Sequence, residues 1–152
     1  MARWLIYGAY GYTGRLIAEE ARDRGLQPVL GGRDRARLEE LAFETGFEAR
    51  GFALDDPEAV VGGLEGIDAV LHAAGPFVHT WRPMVEGCLT AGCHYLDVTG
   101  EIAVFEGLAG LDGRAKEAGV VLLPGVGFDV VPTDCAAAVV ASAVRAPEAL
   151  EL

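Results

Sequence analysis

The sequence has almost no lysine. Lys116 is the only one, and Lys and Arg together number 12 against 23 Asp and Glu, for a formal net charge of -11. A surface of that sign repels a polyanion, which excludes DNA and RNA as bulk partners. With one lysine there is no Tyr-x-x-x-Lys pair, so short-chain dehydrogenase chemistry has no carrier. Cysteine is scarce too. Cys88, Cys93 and Cys135 are an odd set with no CxxC or metal-ligand spacing, so neither a disulfide framework nor a bound metal is expected. They read as reduced, buried or half-buried thiols of a cytoplasmic protein. Long hydrophobic runs are missing as well. The uncharged stretch from Cys135 to Val144 is too short to cross a bilayer. Gly8, Gly11 and Gly14 break the apolar N-terminus where a signal peptide needs a continuous helix.

What is present is a chain of 152 residues, 51% hydrophobic, with 21 glycines. That suits one soluble domain with many tight turns. Short apolar runs alternate with amphipathic stretches. Strands are expected at 4–7, 28–31, 47–53, 69–73, 94–98 and 120–123. Helices are expected at 13–24, 34–45, 57–64, 81–90, 105–118 and 132–144, with Asp34 as the cap of the second and Pro57 and Pro132 as helix openers. Strands joined by helical crossovers make a parallel sheet covered by helices. Six of them in two βαβαβ halves predict an α/β, doubly wound, mostly parallel sheet of the Rossmann type, in which a ligand crosses the carboxyl ends of the strands.

Gly8-Ala9-Tyr10-Gly11-Tyr12-Thr13-Gly14 follows the first strand and opens the first helix. Gly8 permits the turn, Gly11 lets a pyrophosphate approach the backbone, and Gly14 lets the helix pack on the strand. The spacing is GxxGxxG rather than GxGxxG, yet its place between strand and helix points to a bound dinucleotide, with Tyr10, Tyr12 and Thr13 beside it. After the second strand comes Gly31-Gly32-Arg33-Asp34, with no carboxylate at the strand tip. Arg33 suits a 2′-phosphate, which favours NADP(H) while leaving NAD(H) open. Asp34 is either the helix cap or a ribose partner, and position favours the cap.

Three further segments carry more specific signals: His72-Ala73-Ala74-Gly75-Pro76-Phe77, Cys93 through Glu101 (CHYLDVTGE), and Gly127 through Asp134 (GFDVVPTD). With the glycine loop and the GGRD turn, they make the chain resemble the saccharopine dehydrogenase-like family, on the branch that includes the trans-acting enoyl reductases. The resemblance runs from Trp4 to about Val140. It departs at His72, Val130 and Thr133. It implies that 1–152 is a dinucleotide-binding domain. A larger substrate and dimerisation domain, absent from this chain, would contact a small organic or lipid-derived substrate and form a homodimer. Ala74, Gly75, Pro76 and Phe77 then fall where the nicotinamide half rests, with Phe77 over the ring. Asp97, Thr99, Glu101 and Asp129 lie at the same sheet edge, as turn caps and braces or as catalytic groups. His72, on a buried strand, reads as a core histidine.

No catalytic residue is assigned. The leading expectation is the NADP(H)-binding domain of an oxidoreductase that transfers hydride, with little activity from this chain alone. A non-catalytic NADP sensor or interaction module is the alternative. A semialdehyde or acyl-phosphate reductase would need an activated cysteine, and neither Cys88 nor Cys93 sits where one is expected.

Overall fold

A computed structural model describes residues 2–144. It contains six strands and seven helices in this order: β1 (Trp4–Tyr7), α1 (Tyr12–Asp23), β2 (Val29–Gly32), α2 (Arg35–Thr45), β3 (Ala49–Gly51), α3 (Pro57–Gly63), β4 (Ala69–His72), α4 (Phe77–Ala91), β5 (His94–Asp97), α5 (Ile102–Ala109), α6 (Asp112–Ala118), β6 (Leu122–Leu123) and α7 (Val131–Ala143). The strands form one all-parallel sheet ordered β3-β2-β1-β4-β5-β6. The expected doubly wound α/β sheet is what the chain forms.

Strand order reverses between β1 and β4, which pair with Trp4 opposite Ala69 and Tyr7 opposite His72. That is the switch point of the fold, and a crevice opens there at the carboxyl ends. Helices α1 and α2 bury Ile6, Ala18, Leu30, Leu38 and Leu41 against one face. Helices α3 to α6 bury Leu5, Val60, Val70, Met84, Val85 and Tyr95 against the other. Both cores abut β1, so its short run WLIY is almost entirely buried.

Two helices depart from expectation. α4 begins at Phe77, four residues early. A start at 81 would put Pro83 in the first turn, where its missing N–H costs nothing. In the fold Pro83 lies inside α4, and the early start is held by a distant carboxylate described below. The helix expected over 105–118 divides into α5 and α6 at Gly110 and Leu111. Gly110 and Gly113 each weaken a helix by about 1 kcal/mol relative to alanine, and Leu111 turns onto the core. α7 has no buried residue, and Val131, Val139, Val140 and Val144 are exposed.

Candidate functional site

The crevice at the switch point is a cleft of about 700 Å³. One wall is the loop after β1, with Gly8, Tyr10 and Gly11. Gly32 and Arg33 stand at the end of β2, and Ala53, Leu54 and Asp55 follow β3. The other end is formed by Ala73 to Pro76 after β4 and by His79, Thr80 and Pro83 on α4.

The β1 loop is built around two contacts. Gly8 has φ of +84°, and a Cβ there would lie 2.9 Å from both Cβ and N of Ala74. Glycine is therefore required twice over, by the backbone turn and by the approach of the β4 loop. At Gly14 a Cβ would meet the Gly8 carbonyl oxygen at 2.2 Å, so α1 packs directly on the turn. Gly11 differs: within 4 Å its Cβ would meet only the Gly8 oxygen, at 3.1 Å. Gly11 is also the N-cap of α1, and no side chain caps that helix. Its first amides and the positive end of its dipole have no side-chain acceptor, an arrangement that can take an anion.

Tyr10 joins this loop to the end of β2. Its ring lies over Gly32, where a Cβ would come within 2.6 Å of it. Its hydroxyl accepts from Asp34 N at 3.2 Å. The Arg37 guanidinium stacks 4.7 Å from the ring centroid and donates to the Tyr10 carbonyl at 3.3 Å. Asp34 is the cap of α2, its carboxylate accepting from Arg37 N at 3.2 Å. Arg33 is exposed, lines the cleft and makes no ion pair among the described residues.

Not every expected site residue reaches the cleft. Gly8, Tyr10, Gly11, Arg33, Ala74, Gly75 and Pro76 line it. Tyr12 is 86% exposed and does not line it. Thr13 lines a separate groove on the outer side of α1 with Leu16 and Ile17. Gly14 and Asp34 act through packing and capping. Phe77 was expected over the cofactor ring, but its own ring packs edge-on against His72 at 5.5 Å and joins the core. Asp55 and His79 line the cleft and were not anticipated. Nothing in the sequence pattern distinguishes them from other polar residues in a loop and a first helical turn.

The floor near β4 is a buried polar device. His72 is fully buried, and burial pushes its imidazole down to about 3. Its Nε2 lies 2.9 Å from Thr80 Oγ1. The other neighbours of that hydroxyl are acceptors, Ala74 O at 2.7 Å and Pro76 O at 3.2 Å. The hydroxyl hydrogen goes to a carbonyl, so Oγ1 accepts from His72, which carries its proton on Nε2. His72 Nδ1 is left without a partner. Tyr7 donates to Phe52 O at 3.0 Å and, raised to about 12 mainly by burial, stays a phenol.

The other motifs converge on this end. The Glu101 carboxylate accepts from Phe77 N and Val78 N, each at 2.8 Å. Thr99 Oγ1 accepts from Glu101 N at 3.0 Å. Fully buried Asp97 accepts from Tyr95 Oη, Thr99 N and Gly125 N. The Asp129 carboxylate packs beside Gly100 and Gly127. Cap and brace are thus the roles that Thr99 and Asp97 take. Cys88 and Cys93 are buried as expected, whereas Cys135, on α7, is exposed; contact with Cys93 together with burial raises the Cys88 thiol. An activated cysteine nucleophile is not found there.

The family model for the saccharopine dehydrogenase NADP binding domain matches residues 4–123. The chain belongs to this family. Among relatives, the trans-acting enoyl reductase of Mycobacterium tuberculosis is 29% identical over 138 residues, covering 86% of this chain and 33% of that protein. A probable mitochondrial saccharopine dehydrogenase-like oxidoreductase of Arabidopsis thaliana is 29% identical over 147 residues, covering 86% and 32%. The chain thus spans about a third of the length of these relatives. Two solved structures share the fold. Apo saccharopine dehydrogenase (L-Glu forming) from Saccharomyces cerevisiae has a TM-score of 0.80 at 16% identity, covering 95% of this chain and 31% of that one. The NADPH complex of an Escherichia coli quinone oxidoreductase has a TM-score of 0.62 at 20% identity, covering 80% and 47%.

Proposed function

We propose that the chain binds NADP(H) along the cleft and serves as the cofactor domain of an oxidoreductase that passes hydride to or from a small organic or lipid-derived substrate. The observation that carries this reading is the pairing of donors at two points of one cleft. The uncapped N-terminus of α1 lies at Gly11, and an arginine with no ion pair among the described residues stands at the end of β2. A diphosphate fits the first and a 2′-phosphate the second. Asp34, the carboxylate that follows Arg33, is engaged as a helix cap, which favours NADP(H) over NAD(H).

NADP(H), when bound, supplies the hydride chemistry. The protein's own groups orient it. Gly8, Gly11 and the first turn of α1 take the diphosphate, Arg33 takes the 2′-phosphate, and Ala74 to Pro76 wall the nicotinamide end. Tyr10 holds the diphosphate loop against β2. In this reading a second domain of the full protein closes the nicotinamide end, carries the substrate contacts and makes a homodimer. The relatives' greater length and the apolar face of α7 support it. The setting is the cytoplasm, a reading supported by buried free thiols; among the described residues no helix is long and apolar enough to cross a membrane.

The test is a fluorescence titration of the chain and of Arg33→Ala with NADPH and with NADH. Removing one charge-assisted phosphate contact should weaken NADPH about tenfold or more and leave NADH nearly unchanged. Equal losses for both would remove the 2′-phosphate role, and an unmodified chain that prefers NADH would overturn the cofactor assignment.

A further inference from the structure

Two helices begin at the cleft, and they are treated differently. α1, of 12 residues, has no side-chain cap; α4, of 15 residues, is closed by Glu101. Both N-termini carry the same partial positive charge and the same unsatisfied amides. Left open, α4 would compete with α1 for the diphosphate and draw an anion to the wall where the nicotinamide belongs.

We propose that Glu101 is a positioning residue for the nicotinamide end of the cleft: bonded to Phe77 N and Val78 N, it fixes the Gly75–Pro76 wall and closes α4 to anions. The proposal rests on the NADP(H) reading of the cleft.

Glu101 is a carboxylate delivered from another part of the chain, 24 residues beyond Phe77. It satisfies the first two amides of α4, immediately after Pro76, a residue of the cleft wall. Its own position is fixed in turn. Glu101 N donates to Thr99 Oγ1, Thr99 N donates to Asp97 Oδ1, and Asp97 is tied to Tyr95 and Gly125. Asp97 and Thr99 are fully buried. A line of satisfied polar groups thus runs from β5 to the cleft wall, and its last member meets the helix start behind that wall through two charge-assisted bonds. On the far side of the same wall, Thr80 donates to Ala74 O. The Gly75–Pro76 segment is therefore held from both sides, by Glu101 through the helix start and by His72 and Thr80 through the carbonyl of Ala74. The adenine end, at Arg33 and Asp55, has no part in this line.

Dissociation constants of NADPH and of adenosine 2′,5′-bisphosphate, which lacks nicotinamide, would be measured by calorimetry on the chain, Glu101→Gln and Glu101→Ala. Thermal midpoints would be recorded alongside. Glu101→Ala should weaken NADPH by about tenfold while changing the bisphosphate by less than about twofold. Glu101→Gln keeps one acceptor and should fall between. Should the alanine variant fail to fold, the glutamine variant carries the comparison. Equal losses for both ligands, or no loss for NADPH, would overturn the positioning role while leaving the NADP(H) reading intact. A wild-type chain that binds neither ligand would overturn that reading and this proposal with it.

Discussion

His72 makes a quantitative demand on stability. The folded ring takes up a proton only near pH 3, whereas an ordinary histidine does so near pH 6.5. Between those values the unfolded chain holds a proton that the folded chain refuses. Its contribution is fully present above about pH 6.5 and is lost as pH falls toward 3. One proton of difference gives a slope of about 1.4 kcal/mol per pH unit, and the loss between pH 7 and pH 4 comes to roughly 3 kcal/mol. That is a large share of the ~5–15 kcal/mol that holds a typical domain folded. Carboxylates titrate over the same range, so the comparison must be with a variant that cannot protonate. His72→Gln retains an N–H to offer Thr80. Urea unfolding at half-unit steps from pH 7 to 4 gives both stability curves. The wild-type curve should fall away from the variant's, the difference steepening to that slope below about pH 6. Parallel curves would refute the assignment of His72 as a buried, neutral ring.

Two further outcomes follow from the cleft walls. Gly8→Ala forces a side chain into the left-handed region at a cost of about 1–2 kcal/mol, and the new Cβ collides with Ala74 at 2.9 Å. A lowered thermal midpoint and lost NADPH binding are expected, and a variant that binds normally would contradict the geometry. Asp34→Ala removes the cap of α2 at a cost of about 1 kcal/mol. It should leave the NADPH-to-NADH preference unchanged in a fluorescence titration, because the carboxylate serves Arg37 N rather than a ribose.

The elements that sequence reading recovers are those whose cause is local. β1 and β4 are short apolar runs, Asp34 caps α2, and Pro57 opens α3 after Asp56. The glycine loop is legible because strand, turn and helix are contiguous. What stays hidden is long-range. The start of α4 depends on Glu101, and no pattern within 77–91 signals a cap that comes from beyond β5. Phe77 looks like a cofactor residue because it follows Gly75 and Pro76. Only the fold shows that helix α4 begins there and turns the ring onto His72. Asp55 and His79 reach the cleft through loop paths and helix phase that a single sequence does not fix.

An acidic protein that holds a strongly anionic ligand poses an apparent conflict, which the proposed reading of the cleft resolves with two kinds of donor. Backbone amides at the start of α1 carry no net charge and work at contact distance, whereas Arg33 is a full charge on an exposed side chain. Salt screens these unequally. At physiological ionic strength the Debye length is ~8 Å, and exposed charges lose most of their longer-range attraction, while hydrogen bonds from a helix terminus at contact distance lose little. With a formal net charge of -11, the same salt also relieves the general repulsion of the ligand. Those effects have opposite signs, and they fall on different parts of the ligand. In the proposed reading NADH meets the general repulsion and the amides, and NADPH meets both and Arg33 besides. As sodium chloride rises from 20 to 300 mM, NADH affinity should hold or increase, while the NADPH-to-NADH preference should shrink several-fold. In Arg33→Ala that preference should be small and flat across the series. A preference that is insensitive to salt in the unmodified chain would place the 2′-phosphate on buried or backbone donors instead of on Arg33.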